Sequence, residues 1–105
     1  MPEQSVLRHV VLFQFKDGTP AESVRQVENA FRALPDKIDV IQDFEWGTDV
    51  SVEGLAEGFT HCFFVTFARE ADRDTYLPHP DHTAFGDVLR PHLEKALVVD
   101  YWQRT

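Results

Sequence analysis

The sequence predicts an α+β domain in which strands and helices follow the order β-α-β-β-α-β. Three observations predict it. Residues 6–15 and 59–67 alternate as strands do, and both faces of the first are largely apolar. An amphipathic helix with a start signal follows the first of these strands. A second helical segment precedes an apolar stretch near the end of the chain.

In residues 6–15 (VLRHVVLFQF), His9, Val11, Phe13 and Phe15 fall on one face and Val10, Leu12 and Gln14 on the other. An antiparallel sheet with one wet face would show polar residues at alternate positions, so this pattern predicts helices on one face and a second layer on the other. Residues 16–20 form a turn into a helix, with Thr19 as N-cap, Pro20 at the first helical position and Glu22 at the third, a capping-box arrangement. Val24, Val27, Phe31 and Leu34 recur at three- and four-residue steps, so one stripe docks on the sheet while Glu22, Arg25, Glu28 and Arg32 face water. Pro35 and Asp36 end this helix.

A second strand covers residues 40–49, with Val40, Gln42, Phe44 and Trp46 on one face and Gly47 marking a bulge or close backbone approach. Residues 51–58 are a polar connection with room for one helical turn. The third strand, 59–67, sets Phe59, His61, Phe63, Val65 and Phe67 against Thr60, Cys62, Phe64 and Thr66. Residues 69–76 read as a short helix, 77–80 (LPHP) as a break, and 81–95 as a helix that Pro91 kinks or ends early. The last strand spans residues 97–103. This order is the ferredoxin-like arrangement, a four-stranded antiparallel sheet with helices on one face.

The 105 residues suit one domain spanning 1–105, without repeat, low-complexity tract or linker. The 43% apolar content, with nine Phe and two Trp, exceeds what one side of a small sheet needs, and a homo-oligomer would use the surplus. A net charge of −8 without a basic block argues against nucleic acid or an anionic membrane as partner. No apolar run reaches the roughly 18 residues of a spanning helix, and the opening MPEQSVLRH lacks the pattern of a secretory leader, so a cytoplasmic location is expected. The single cysteine, Cys62, can form neither an internal disulfide nor a thiolate zinc cluster.

Side chains able to move protons are few. His9 and His61 share strand faces with Phe and Val; each is either a satisfied core histidine or a ligand-facing one. His79 and His82 flank a helix start, where capping and packing outweigh a shared metal because Pro80 turns the two apart. Tyr76 offers a hydroxyl that can donate to a carbonyl or enolate, or be satisfied by backbone. Asp100 lies in an apolar strand and needs a partner; a histidine would make an oriented general base, and backbone or solvent would make a quiet edge residue. No phosphate loop, nucleophile elbow or dinucleotide fingerprint is present.

Taken as a gapped set, His9-Val10-Val11-Leu12-Phe13, Trp46-Gly47-Thr48-Asp49, Glu57-Gly58-Phe59-Thr60-His61, Tyr76-Leu77-Pro78-His79-Pro80-Asp81-His82 and Val99-Asp100-Tyr101 resemble the stress-responsive dimeric α/β-barrel proteins, the Dabb domains. The resemblance covers nearly the whole chain. It implies ferredoxin-like subunits whose sheets pack face to face in a homodimeric α/β barrel with the helices outside. A plant member of the family closes a linear polyketide by an intramolecular aldol condensation, and its catalytic histidine, tyrosine and acid are similar in position to His82, Tyr76 and Asp100. On that resemblance His82 takes a proton α to a carbonyl, Asp100 holds the tautomer of His82, and Tyr76 hydrogen-bonds the developing oxyanion, with no cofactor. His9 and His61 match histidines near that pocket; Val11, Val27, Phe31 and Phe63 would line it, with bulk that excludes a long alkyl substrate. The expected function is binding, and cyclase-like conversion, of a small carbonyl or phenolic metabolite; the alternative is a non-catalytic dimeric stress or structural protein.

Overall fold

The computed structural model describes residues 5–105; the leader expectation rests partly on residues 1–4, which lie outside them. Four strands, β1 (Leu7–Phe15), β2 (Asp43–Thr48), β3 (His61–Phe67) and β4 (Leu93–Trp102), form one sheet in the order β2-β3-β1-β4. Every neighbouring pair is antiparallel, with Val11 opposite both Phe63 and Val98 at the centre. Four helices, α1 (Ala21–Arg32), α2 (Leu34–Lys37), α3 (Glu70–Tyr76) and α4 (Pro80–Leu89), contribute buried residues to a core on one face of this sheet. The ferredoxin-like order expected from the alternation is the one formed.

The core follows from the strand period. Leu7, His9, Val11 and Phe13 are buried while Arg8, Val10, Leu12 and Gln14 between them are half-buried, which sets the inner and outer faces of β1. Phe31 of α1 stacks on Phe63 of β3 with ring centroids 4.2 Å apart and planes within 1°, and Phe85 of α4 meets Phe31 edge-on at 4.8 Å. These aromatic contacts tie α1 and α4 to the sheet centre. The outer face carries Val10, Leu12, Cys62, Phe64, Leu97 and Val99 with none of the described helices over it, and Leu97 and Val99 are 45% and 50% exposed.

Several boundaries differ from those the sequence predicts. The Thr19 hydroxyl donates to the Lys16 carbonyl at 2.6 Å, closing the turn, so it does not cap α1, whose cap position is Pro20. Pro35 does not end the helical run: it sits at the start of α2, where a missing N–H costs nothing. β2 begins at Asp43, not at residue 40, because Val40 and Ile41 leave the ladder and pack beside the core. Gly47 is neither bulged nor crowded; its register with Cys62 is regular and nothing lies within 4 Å of where a Cβ would stand.

Residues 51–58 contain turns but no helix, and β3 starts at His61, two residues later than predicted. Gly58 has φ +86°, so the backbone favours glycine there, whereas the Gln14 amide lying over it is the mobile end of a side chain and can yield to a Cβ. The predicted helix 81–95 stops at Leu89; Pro91 lies in a single 3-10 turn, Arg90–His92, and residues 93–95 already belong to β4. β4 is therefore an edge strand of ten residues, longer than expected. Among the described residues, no helix is long and apolar enough to cross a membrane.

Candidate functional site

Helix α3 ends at Tyr76 and α4 opens at Pro80, with Leu77, Pro78 and His79 crossing between them. His79 serves as N-cap of α4: its Nδ1 accepts from the Asp81 N–H at 3.1 Å. That use commits His79 Nδ1 to the start of the helix. Among the described residues, no group of three or more His, Cys, Asp or Glu is placed to hold a metal ion.

His82 stands one turn into α4 with Nδ1 2.9 Å from the Leu77 carbonyl oxygen. A carbonyl only accepts, so Nδ1 carries the proton and Nε2 keeps its lone pair. Burial pushes the imidazole below the ordinary histidine value, and the nearby His9 and His79 push the same way against the Leu77 bond. His82 is thus neutral at neutral pH, with a basic nitrogen that no described protein group engages.

Tyr76 is fully buried, with its ring 4.5 Å from that of His82 and 5.8 Å from that of His9. Its hydroxyl is buried and unpartnered. Burial pushes the phenol well above its ordinary value, so it stays protonated and can donate. An orphaned hydroxyl of this kind is costly unless something else approaches it.

Asp100 does not orient His82. It projects from the inner side of β4 opposite His9 of β1, and its Oδ1 lies 2.7 Å from His9 Nδ1. Its Oδ2 accepts from Arg73 Nη1 at 3.3 Å. The role expected for Asp100 at His82 falls to the Leu77 carbonyl, because the antiparallel register pairs residues 9 and 100 directly.

These groups meet around a cavity of about 280 Å³ between sheet and helices, lined by His9, Val11, Phe31, Tyr76, His82 and Asp100 together with Phe13, Leu77, Phe85, Gly86, Leu89, Ala96 and Val98. Three residues expected at it stand elsewhere. Val27 and Phe63 are fully buried in the core, and their bulk does not narrow this cavity. His61 is buried beyond Phe13, where its Nε2 lies 2.6 Å from Glu28 Oε2 and its Nδ1 2.8 Å from the Thr60 hydroxyl. Glu28 therefore does not face water, contrary to its place on the helical wheel. Glu28, Arg73 and the Leu77 carbonyl carry no sequence signal; only the strand position of His61, a buried imidazole needing a partner, hints at an acid nearby.

Fold and site together define a ferredoxin-like α+β domain with a small, mainly apolar cavity lined by two histidines, a tyrosine and an aspartate. The model of the stress responsive A/B barrel domain family, Dabb, matches residues 7–103, and the chain belongs to that family. It is 37% identical over 95 residues to the stress-response A/B barrel domain-containing protein HS1 of Arabidopsis thaliana, covering 90% of this chain and 87% of that one. Olivetolic acid cyclase of Cannabis sativa is 34% identical over 98 residues, 93% of this chain and 97% of the cyclase. Among solved structures, hydroxynitrile lyase from Passiflora edulis superposes with TM-score 0.89 at 27% identity, covering 96% and 95% of the two chains. A dimeric ferredoxin-like protein from Bacteroides fragilis superposes with TM-score 0.76 at 32% identity, covering 93% and 96%.

Proposed function

We propose that the cavity binds a small carbonyl- or phenol-bearing metabolite and that the protein enolises or cyclises it without a cofactor. The observation that carries this reading is a cavity lined both by a neutral His82, with Nε2 unengaged, and by Tyr76, whose buried hydroxyl has no partner. His82 Nε2 takes a proton from the carbon α to a carbonyl, and the electron pair moves onto the carbonyl oxygen. The Tyr76 hydroxyl donates to that oxyanion. In a cyclisation the enolate carbon then attacks a second carbonyl of the same molecule, forming the carbon–carbon bond, and the imidazolium returns its proton to the new alkoxide. The olivetolic acid cyclase resemblance supports this chemistry, and the small cavity volume favours a compact substrate over one with a long alkyl chain.

The protein works as a homodimer in this reading. Its uncovered apolar outer sheet face supports that, as do structural neighbours described as dimeric ferredoxin-like proteins. A non-catalytic dimeric protein is the second reading. The closed Arg73–Asp100–His9 and Glu28–His61 bonds favour it, since those polar groups are satisfied within the chain; the Tyr76 hydroxyl counts against it.

The test is a thermal-shift screen with small aromatic acids, phenols and short β-keto compounds on the wild type and His82→Ala, followed by α-proton exchange in D2O for any hit. A hit that stabilises the wild type, loses its effect in His82→Ala and exchanges above buffer background is expected. Absence of any hit, with a steep fall in the melting temperature of His82→Ala, would replace this reading with the structural one.

A further inference from the structure

Arg73 stands three residues before Tyr76 on α3, one turn away on the same side of the helix. Both ends of its guanidinium are engaged: Nε donates to Asp74 Oδ1 at 3.2 Å and Nη1 to Asp100 Oδ2 at 3.3 Å. A second tie runs from Trp102 Nε1 to Glu70 Oε2 at 3.1 Å. Residues 100 and 102 lie on the same side of β4, so α3 is fastened to the inner side of the edge strand at two successive positions. Asp100 has one oxygen on Arg73 and the other on His9 Nδ1. A carboxylate so held has only lone pairs to offer, so the bond to His9 needs a proton on Nδ1. No described residue hydrogen-bonds His9 Nε2, and His9 lines the cavity.

We infer that Arg73 is a positioning residue that acts through Asp100 to hold His9 in the tautomer with Nε2 unprotonated, so that this wall of the cavity presents a hydrogen-bond acceptor. Without the guanidinium, Asp100 keeps a single tie and turns toward solvent at the sheet edge, and the imidazole loses the partner that distinguishes its two nitrogens. With His82 the cavity then offers two acceptor nitrogens, from β1 and from α4, and a bound molecule must bring hydrogens to both. That consequence for ligands rests on the reading of the cavity as a binding site, whereas the tautomer does not.

Long-range 1H–15N correlation spectra of the uniformly labelled protein at about pH 8, above the ordinary histidine value, report the tautomer of each ring without any ligand. His9 is assigned with His9→Gln. The wild type is expected to show His9 as a single form with Nδ1 protonated. Arg73→Met is expected to average the His9 nitrogens toward a mixture, with Arg73→Lys recovering most of the single form and His82 and His61 unchanged in both. Asp100→Asn, which removes the link itself, should reproduce Arg73→Met and serves where that variant folds poorly. A wild-type His9 protonated on Nε2, a single unchanged form in both Arg73→Met and Asp100→Asn, or equal changes at all histidines would overturn the inference. Failure of the ligand screen with the tautomer result intact would sink only the binding reading.

Discussion

Replacing Tyr76 with phenylalanine removes one oxygen from the interior, and the sign of the stability change separates a ligand cavity from a structural polar network. The ring itself stays, with its contacts to Phe67 at 5.1 Å, His9 at 5.8 Å and His82 at 4.5 Å, so packing is conserved. What goes is a buried hydroxyl without a hydrogen-bond partner. Leaving such a group unsatisfied costs about 1–3 kcal/mol. The lower end applies, because the oxygen leaves a small void behind it that offsets part of the gain. Tyr76→Phe should therefore stabilise the fold by about 1 kcal/mol, or raise Tm by about 4 °C for a chain of this length. Urea unfolding at fixed protein concentration, with an unchanged m-value, measures it. A loss of about 1 kcal/mol or more would mean that the hydroxyl holds the fold together, and would refute the argument that it is kept for a ligand. The same variant should lose most of the stabilisation that any ligand gives the wild type.

Other expectations follow from the same geometry. Because the folded-state value of His82 lies below its unfolded value, the unfolded chain takes up the proton first as pH falls. Stability should be full above about pH 6.5 and decline as pH drops through the lowered folded value, and His82→Gln should flatten that acid limb in thermal melts across pH. Glu28→Leu leaves the buried His61 Nε2 without an acceptor and should cost about 1–3 kcal/mol, while Glu28→Gln, which keeps an oxygen there, should cost less in urea melts. Leu12→Asp places a charge on the uncovered sheet face and should yield monomers or insoluble protein; a dimer unchanged in light scattering would remove this face as the interface.

The periodicity of β1 and β3 made the sheet and its inner face legible, because alternate residues must point to opposite sides and His9, Val11 and Phe13 were all read inward. Ends of elements were less legible. Nothing local tells Thr19 to bond the Lys16 carbonyl in place of capping a helix, or tells residues 93–95 to extend a strand after Pro91 has stopped the helix. The cavity brought together His82, Tyr76, Asp100, His9, Val11 and Phe31, all placed by the strand and helix pattern or the family resemblance. Pairings inside it needed tertiary register. Asp100 meets His9 across 91 residues of chain only because β4 lies beside β1, and Glu28 meets His61 across 33. Glu28 stands outside the apolar stripe of α1, so a helical wheel assigns it to water, and only the tertiary placement of His61 draws it inward.

The sheet between cavity and outer face is one strand thick, and β1 and β4 serve both sides with alternate residues. His9, Val11, Val98 and Asp100 look into the cavity, while Val10, Leu12, Leu97 and Val99 look outward. Occupancy and subunit association therefore share a single backbone. If a bound molecule shifts β4, the edge strand beside β1, it alters the surface offered to a second copy. By thermodynamic reciprocity the factor by which a ligand tightens or loosens the dimer must equal the factor by which dimerisation changes affinity for that ligand. Ligand titrations at two protein concentrations spanning the dissociation constant of the dimer would then give different affinities, and their ratio would measure how strongly one β-strand couples the two faces.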